Sequence, residues 1–407
     1  MSNLKDHREI GRELDLFIFS EAVGSGLPLF TPKGTVLRDK LIEFSENLQK
    51  EGGFKKVWIP HLTKDELYKK SGHWEKFGGE LFLVKSQETS DKLILKPMNC
   101  PHHAQIFASL PRSYKDLPIR YYETTTVYRD EKKGELGGLS RVRAITQDDS
   151  HSFCTIDQIE DELLNIMNMV KKMYDALKLP FKLRLSFRDV NDKRLYLGKS
   201  ENWDKAEEII EKIAKKLKIE YFIAKGEAAF YGPKLDVMVI DSQGREWQCA
   251  TPQLDFVQPE RLGLEYIDEK NEKQVPVMIH KALLGAVERF LAVYIEHTQG
   301  AFPLWLSPVQ VEVLAVSDKH NSIAKKVHEE LADAGIRSQL NIDNKMLGAK
   351  IRESTLQKTP YMIIMGDKET AVKPLSVSVR SRDGKDLGMQ KLTEFVQLIK
   401  SEIEKTQ

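Results

Sequence analysis

The sequence has little cysteine and almost no net charge, and each scarcity excludes a class of protein. The 407 residues include three cysteines, Cys100, Cys154 and Cys249. This number is small and odd, which argues against a disulfide framework, so we expect a reducing compartment. Lysine and arginine total 62 against 61 acidic residues, and this net charge of +1 excludes a generally cationic coat for nucleic acid. Any contact with RNA is therefore expected from local positive patches.

Long apolar runs, internal repeats and low-complexity tracts are also missing. No stretch approaches the roughly 20 apolar residues of a spanning helix. The segment from Met1 to Glu13 is charged throughout and reads neither as a secretory signal nor as a transit peptide. We therefore expect a cytoplasmic protein without a membrane segment. A length of 407 residues allows two or three domains, and a hydrophobic share of 41% lets each bury a core.

Hydrophobic spacing predicts the elements of the first three quarters of the chain. Residues 32–60 read as a helix followed by a strand, and residues 155–178 as a strongly amphipathic helix. β-like runs fall at 119–128, 141–147, 219–224, 234–240 and 245–256. Strands that follow one another directly favour an antiparallel sheet. A last helix is predicted at 281–299, ending at Gly300.

The pattern of predicted elements changes at Pro303 and Pro308, which predicts a domain boundary there. Beyond it strands and helices alternate, at 309–316, 319–334, 337–342, 347–357, 361–365, 377–380 and 391–404. Such alternation predicts a compact α/β domain of about a hundred residues. We therefore expect an α+β domain with an antiparallel sheet at 1–302 and an α/β domain at 303–407.

Three separated residues, Cys100, His151 and His280, are candidate metal ligands, because zinc in proteins is bound mainly by thiolate, imidazole and carboxylate. Their spacing matches no short zinc-finger pattern, and a lone histidine or cysteine is usually structural. Three protein ligands would leave one zinc position open for a substrate, as catalytic sites do. The residues alone leave both interpretations open.

Three arginines are candidate anion ligands. Arg129 ends a predicted strand, and Arg141 begins the returning strand after a Gly-rich loop, so the two should lie near each other. Guanidinium groups bind phosphate oxygens bidentately, although a solvated surface hairpin is the commoner meaning of such a pattern. Arg289 is expected about two turns into an otherwise apolar helix, where a bound anion or a buried acid would compensate its charge.

The sequence resembles class II aminoacyl-tRNA synthetases in three segments that occur in the family's order. They are the helix and strand ending at Pro60, Arg129–Glu131 with its hairpin, and Gly285–Arg289. Longer strings are similar to threonyl-tRNA synthetases from about residue 5 to 400. These include Ser71–Trp74, Lys96–Pro101, Thr146–Asp149, Phe230–Lys234, Trp247–Cys249, Val277–His280, Pro303–Gln310 and Lys350–Glu353.

The resemblance implies a class II synthetase catalytic domain and a C-terminal anticodon-binding domain. It implies ATP-dependent activation of L-threonine, transfer to tRNA(Thr), Mg²⁺ with ATP, one zinc ion per subunit and a homodimer. The family also carries N-terminal domains, one of which hydrolyses mischarged seryl-tRNA. Nothing before Glu9 can hold them, so we expect no editing domain in this chain and uncorrected charging of serine.

The resemblance also implies roles for particular residues. Cys100, His151 and His280 correspond to the zinc ligands. On the ATP side, Arg129 corresponds to the α-phosphate ligand, and Arg289 corresponds to the arginine of the third motif. Glu131 and Arg141 correspond to contacts towards the adenine and the γ-phosphate. Gln248 corresponds to a further ATP contact. The amino-acid pocket would comprise Gln147, Asp149, Tyr231 and Gln253. His73 corresponds to a histidine that assists proton removal from the terminal ribose of the tRNA, and Asn344, Glu369 and Arg380 fall at anticodon-recognition positions.

Two alternatives remain, and several positions depart from the family pattern, among them Tyr128, Asp130 and the loop Gly134–Gly138. Another class II synthetase, such as the prolyl or seryl enzyme, would share the three motifs but not the Cys100–His151–His280 set. A non-catalytic paralogue that only binds tRNA would be favoured by loss of Arg129 or Arg289, and both are present. Ala250 and Pro252 stand where most members have glycine and a branched aliphatic residue, which could tighten the pocket.

Overall fold

The computed structural model describes residues 4–192 and 196–405 of the chain. Within them the α-helices are α1 (His7–Glu13), α2 (Pro32–Glu51), α3 (Asp65–Ser71), α4 (His73–Phe77), α5 (Cys100–Ala108), α6 (Ile159–Leu177), α7 (Ser200–Leu217), α8 (Gln258–Leu262), α9 (Val287–Thr298), α10 (Asn321–Asp333), α11 (Leu347–Leu356), α12 (Asp367–Ala371) and α13 (Leu392–Glu404). None of these described helices is both long enough and apolar enough to cross a membrane.

The described strands outnumber the helices, and many of them are short. They are β1 (Phe17–Ile18), β2 (Leu29–Phe30), β3 (Lys55–Lys56), β4 (Leu62–Lys64), β5 (Leu83–Lys85), β6 (Lys92–Leu95), β7 (Ile119–Tyr128), β8 (Ala144–Cys154), β9 (Phe181–Phe187), β10 (Tyr221–Lys225), β11 (Lys234–Ile240), β12 (Glu246–Gln248), β13 (Gln253–Asp255), β14 (Tyr266–Ile267), β15 (Lys273–Gln274), β16 (Val277–Ala286), β17 (Val311–Ala315), β18 (Ser338–Asn341), β19 (Tyr361–Met365), β20 (Ser376–Ser381) and β21 (Asp386–Lys391).

The chain forms two compact units. The larger unit comprises residues 19–28 and 42–294, and the smaller unit comprises the remaining segments, 1–18, 29–41 and 295–407. Each unit has a sheet of its own. The domain boundary after residue 302 stays a prediction.

A mainly antiparallel sheet forms the centre of the larger unit. Its strands lie in the order β10–β9–β11–β13–β16–β8–β7–β3, with β12 paired to β11. Among these described strands the β10–β9 and β3–β7 pairs are parallel, and the other pairs are antiparallel. The antiparallel sheet predicted from directly connected strands is therefore confirmed.

Helix α6 packs against β16 through the apolar stripe predicted from the sequence. Its buried face includes Ile159, Leu163, Ile166, Val170, Met173 and Leu177. Each such side chain contributes roughly 1.5–3 kcal/mol on burial. Thr155 and Gln158 form a capping box in the turn before the helix, which satisfies backbone donors that would otherwise lack partners. Tyr174 Oη also donates to Leu283 O at 2.7 Å, so the helix is fixed to β16.

The helix predicted at 281–299 is wrong in its first third. Strand β16 continues to Ala286, and α9 begins only at Val287. The error arises because a buried strand and a buried helix both read as continuous apolar runs. An irregularity in the pairing with β8, between Ala282 and Ala286, further hides the strand periodicity.

The smaller unit contains the α/β arrangement predicted from the alternating C-terminal texture. Its sheet has the order β18–β17–β19–β20–β21, in which the first three strands are parallel and the last two antiparallel. The core lies between this sheet and helices α10 and α13, and includes Val313, Ala315, Val327, Leu331, Ile363, Val379, Phe395 and Ile399. Strand β21 was not predicted.

Candidate active site

Strand β8 places three of the predicted site residues on one face of the sheet. Side chains alternate along a strand, so Gln147, Asp149 and His151 point to the same side. Asp149 is buried, and its Oδ2 accepts a hydrogen bond from Asn99 Nδ2 at 3.0 Å. Burial raises the pKa of the Asp149 carboxyl, whereas the bond from Asn99 lowers it.

Cys100, His151 and His280 come together in the larger unit. The first begins α5, and the two histidines lie directly opposite each other on the antiparallel strands β8 and β16. The candidate ligand atoms of the three side chains all lie within 4.8 Å of one another, and all three residues are buried. Pairing across the sheet thus joins residues that are far apart in sequence.

The outer ring nitrogens of the two histidines are held by other buried side chains. His151 Nδ1 lies 2.7 Å from His103 Nδ1, and His280 Nε2 lies 2.9 Å from Asp255 Oδ2. His151 Nε2 and His280 Nδ1 are consequently left facing each other at 3.1 Å. A carboxylate such as that of Asp255 is a usual partner for the outer nitrogen of a metal-binding imidazole, and it orients the ring.

Tyr231 and Gln253 extend the same face. Gln253 lies opposite His280 in the β13–β16 pairing, and its Oε1 accepts from Tyr231 Oη at 2.5 Å. The Tyr231 ring stacks on His280 with centroids 5.0 Å apart. Gln147 Oε1 and Asn99 Oδ1 are buried and have no hydrogen-bond partner within residues 4–192 and 196–405. The structure therefore gathers polar side chains on this face, and two of their acceptor atoms have no partner among the described residues.

A separate cavity of about 290 Å³ contains the predicted phosphate ligands. It is lined by Arg129, Glu131, Leu139, Ser140, Arg141, Val142, Ile145, Ala286 and Arg289. Arg129 follows β7 directly, and the predicted proximity of Arg129 and Arg141 is confirmed. Arg141 NH2 pairs with Glu131 Oε2 at 2.7 Å and with Glu135 Oε2 at 3.0 Å.

The guanidinium of Arg129 is half-buried, and no carboxylate among the described residues bonds it. Its NH2 lies 3.1 Å from Met98 Sδ, and the group lies 5.0 Å from the ring centroid of Phe77. Its Nε has no hydrogen-bond partner in the described part of the chain. Burial lowers the pKa of Arg129, although an arginine stays charged at neutral pH. An anion in the cavity would supply the missing partner.

The position expected for Arg289 needs correction. Because α9 begins at Val287, Arg289 lies in its first turn and is exposed rather than two turns into a buried helix. Its compensation by a buried acid is therefore not needed. The preceding residue, Glu288, is the buried one, and its Oε2 accepts from Thr146 N at 2.8 Å. Arg289 still lines the cavity that contains Arg129.

Gln248 and His73 lie in more fully bonded surroundings. Gln248 on β12 donates to Asp236 Oδ1 at 2.9 Å and accepts from Arg184 NH2 at 2.8 Å. His73 begins α4 and is buried; its Nδ1 lies 2.8 Å from Ser71 Oγ and its Nε2 lies 3.6 Å from Cys100 Sγ. Burial lowers the pKa of His73 to about 3.

The predicted anticodon residues lie in the smaller unit with different degrees of exposure. Asn344 is exposed in the loop after β18. Glu369 is buried in α12, where Oε2 accepts from Gly366 N at 2.9 Å and Oε1 accepts from Ser378 Oγ at 2.5 Å. Arg380 lies two residues beyond Ser378 on β20, so the two share a face. Its Nε donates to Gly384 O at 3.2 Å.

Several residues of the site were not selected from the sequence. Asn99 and His103 flank Cys100, and Asp255 follows Gln253 by two residues. Asparagine, histidine and aspartate are residue types that orient metal ligands and substrate-binding carboxylates, and this was the signal in the sequence that pointed to them. Proximity to a chosen ligand along the chain could have identified them. The ring nitrogens of His151 and His280 that His103 and Asp255 contact could be known only from the pairing of the strands.

Comparison with known proteins agrees with the geometry. A family model described as the tRNA synthetase class II core domain (G, H, P, S and T) matches residues 82–298. A second model, described as an anticodon binding domain, matches residues 310–402. The matches define a class II synthetase core followed by an anticodon-binding domain.

Individual relatives narrow the class. A threonine–tRNA ligase of Porphyromonas gingivalis is 47% identical over 98% of this chain, and one of Flavobacterium psychrophilum is 45% identical over 99%. The chain spans 61% and 62% of their respective lengths. The crystal structure of the RNA binding domain of threonyl-tRNA synthetase from Cryptosporidium parvum is 36% identical, with a TM-score of 0.92 and 98% of each chain covered. The chain therefore belongs to the class II tRNA synthetases, in the family of threonyl-tRNA synthetases.

Proposed function

We propose that this chain is a threonine–tRNA ligase, which activates L-threonine with ATP and transfers it to tRNA(Thr). The observation that carries the proposal is the grouping of Cys100, His151 and His280 beside Asp149. No such set is needed for ATP binding alone. Two histidines and a thiol can hold a metal that keeps one coordination position open. The group is therefore suited to binding an amino-acid substrate at that position.

The donor set fits one zinc ion per subunit. A tetrahedral zinc with bonds of about 2.0–2.3 Å separates its ligand atoms by roughly 3.3–3.8 Å. The facing nitrogens of His151 and His280, 3.1 Å apart, are near that spacing, and the thiol, within 4.8 Å, would move closer by about 1 Å on binding zinc. Asp255 and His103 hold the outer ring nitrogens. When bound, zinc supplies an open position that takes an amino or hydroxyl group.

Asp149 would recognise the threonine hydroxyl. Its Oδ2 is engaged by Asn99, while its Oδ1 is left on the side of His151, 3.9 Å from Nε2. Tyr231, Gln253 and Gln147 would complete the pocket. Valine has the shape of threonine but lacks the hydroxyl, so it would leave the buried carboxylate unpaired. A site built to bond a hydroxyl rejects such an analogue by roughly 10⁴-fold.

Arginines would carry the activation step. The threonine carboxylate attacks the α-phosphate of ATP, and this displacement needs alignment and charge neutralisation more than proton transfer. Arg129 would hold the α-phosphate and Arg289 would neutralise the phosphate chain from the first turn of α9. Glu131, Arg141 and Gln248 would orient the nucleotide, which binds with Mg²⁺.

Transfer to tRNA would use residues of both units. His73, held by Ser71 and adjacent to Cys100, would assist removal of a proton from the ribose hydroxyl. Asn344, Glu369 and Arg380 would contact the anticodon. The domains would be 1–302 for catalysis and 303–407 for anticodon binding, in a cytoplasmic enzyme.

We also propose a homodimer. The segment 32–60 corresponds to the motif that builds the subunit interface of this class. Trp58, with 77% of its surface exposed, is an unusual residue to leave in water. A fully active monomer in sedimentation at micromolar concentration would contradict the dimer.

The deciding experiment is ATP–pyrophosphate exchange with each of the amino acids, together with metal analysis. We expect threonine-dependent exchange and about one zinc per chain. Cys100→Ala should lose zinc and exchange together. Cys154→Ala, which also removes a buried thiol, should retain both. Proline- or serine-specific exchange would favour a different synthetase, and tRNA binding without exchange would favour a non-catalytic paralogue.

A further inference from the structure

Asp148 lies between two residues of the amino-acid pocket but faces away from it. Alternation along β8 directs Gln147 and Asp149 to the substrate face and Asp148 to the opposite one. The side chain is completely buried. The proposed function gives Asp148 no contact with threonine, ATP or metal, so this buried carboxylate needs a separate account.

The carboxylate of Asp148 bonds three consecutive backbone amides of β16. Leu283 N donates to Oδ2 at 3.1 Å, Gly285 N donates to Oδ1 at 3.1 Å, and Leu284 N lies 3.0–3.1 Å from both oxygens. In the pairing of the strands, Ala282 lies opposite Asp149 and Ala286 opposite Gln147. Three residues of β16 therefore face Asp148 alone, and its side chain accepts from all three.

This irregularity turns the strand into the helix that carries Arg289. Gly285 has a φ of +76°, and a Cβ there would lie 2.8 Å from Cys249 O, so the turn requires glycine. Val287 then begins α9, and Glu288 bonds Thr146 N on β8. The position of Arg289 thus depends on where the segment Leu283–Gly285 is held.

Asp148 also bonds α2 within the larger unit. Ser45 Oγ donates to Asp148 Oδ2 at 2.6 Å. One turn further along, Gln49 Oε1 accepts from Lys281 Nζ at 2.9 Å, and this ammonium lies 4.0 Å from the ring centroid of Phe54. Burial raises the pKa of Asp148 to about 6, and the bonds from Ser45 and the backbone amides, together with nearby Lys281, oppose that shift. The carboxylate consequently joins β8, the irregular part of β16 and α2.

We propose that Asp148 is a positioning residue for ATP activation, because its carboxylate holds the Leu283–Gly285 segment and so fixes Arg289 relative to Arg129. The inference rests on the proposed function. It adds that the ATP side and the amino-acid side of the site are aligned by one buried group on β8. Misplacement of a reacting group by about 1 Å can cost roughly 100-fold in rate.

The test uses Asp148→Asn in the full chain. Asparagine keeps the size but replaces one acceptor oxygen by an NH₂ group that opposes the backbone donors. We expect kcat/KM for ATP in pyrophosphate exchange, counted per active site from the adenylate burst, to fall by about 100-fold. The dissociation constant of threonine, measured by calorimetry without ATP, should stay unchanged. The matched control is Glu162→Gln, a buried carboxylate paired with Arg120, which should behave as the wild type.

Each result decides the matter. Unchanged ATP parameters in Asp148→Asn overturn the proposal, as does an equal loss of threonine affinity, which would mean general damage to β8. If Asp148→Asn does not fold, Ser45→Ala serves instead, since it removes only the bond from α2. It should lower kcat/KM for ATP by about fivefold, and no change would overturn the idea. Failure of the proposed function appears differently, as absence of threonine-dependent exchange in the wild type.

Discussion

Asn99 and Asp149 are joined by one hydrogen bond, from Nδ2 to Oδ2 at 3.0 Å, and both side chains are buried. The bond fixes which carboxylate oxygen is left for a ligand. Asn99 is the residue before Cys100, at the start of α5. The same short segment therefore orients the Asp149 carboxylate, through Asn99, and provides a proposed metal ligand, Cys100. Recognition of threonine would therefore depend on a residue that does not itself bind the hydroxyl.

Asn99→Ala should weaken threonine activation selectively. Loss of a hydrogen bond to a charged group costs about 1.5–3 kcal/mol, so kcat/KM for threonine should fall roughly 10- to 100-fold. The KM for ATP should be unaffected, because Arg129 and Arg289 line a different cavity. Steady-state pyrophosphate exchange measures both. Asn165→Ala, which removes a bond to Gly52 O, is the control. An equal effect on ATP and threonine would contradict this interpretation.

Arg129→Met should separate stability from activity. The wild-type side chain is half-buried, and its buried Nε lacks a partner within the described residues, so a methionine of similar length removes a desolvation cost. We expect the melting temperature by calorimetry to be equal or higher. Exchange should fall by about 100- to 1000-fold, as when a charge-stabilising donor is lost. A clearly lower melting temperature would show that Arg129 stabilises the fold without ligand.

The amino-acid pocket should rank substrates as threonine, then serine, then valine. Serine keeps the amino and hydroxyl groups and lacks one methyl group, which is worth about 1–3 kcal/mol, or roughly 10–200-fold. Valine lacks the hydroxyl and should be rejected by roughly 10⁴-fold. Exchange assays with purified amino acids give the three values of kcat/KM. Rejection of serine beyond 10³-fold would instead implicate a tighter pocket around Ala250 and Pro252.

Arg380→Ala should impair aminoacylation and spare pyrophosphate exchange. Among the described residues its side chain makes one hydrogen bond, to Gly384 O, which leaves most of the guanidinium available to RNA, and activation does not require the anticodon. We expect kcat/KM for tRNA to fall by a factor that corresponds to about 1–3 kcal/mol, the usual contribution of one good base contact. Lys400→Ala on α13, an exposed cation on another element, is the comparison. Equal loss in both assays would indicate misfolding or a wrong assignment.

Much of the fold could be predicted where periodicity was strong. The strands at 119–128, 234–240 and 361–365 have the predicted bounds, and α6 carries the predicted stripe. Helix α7 was not predicted, although Trp203, Ala206, Ile210 and Ile213 are buried at helical spacing. Its N-cap residue, Lys199, makes no capping bond, so the usual start signal is missing.

The site was less predictable because it depends on strand pairing. His151 and His280 are 129 residues apart, and only the register of β8 and β16 puts them face to face. The position of Arg289 depended on an irregularity stabilised by a side chain on the neighbouring strand, which no local pattern records. Family resemblance selected these residues; their partners Asn99, His103 and Asp255 followed from the coordinates.

The bonds of Glu369 constrain how RNA reading could evolve at that position. Both carboxylate oxygens are already occupied, one by the start of α12 and the other by Ser378. A nucleotide base could recruit this carboxylate only by sharing or displacing those donors. If Glu369 contacts the anticodon as we propose, a substitution that changes base preference there would also loosen α12, so the folding of the domain would restrain changes of anticodon preference at this residue.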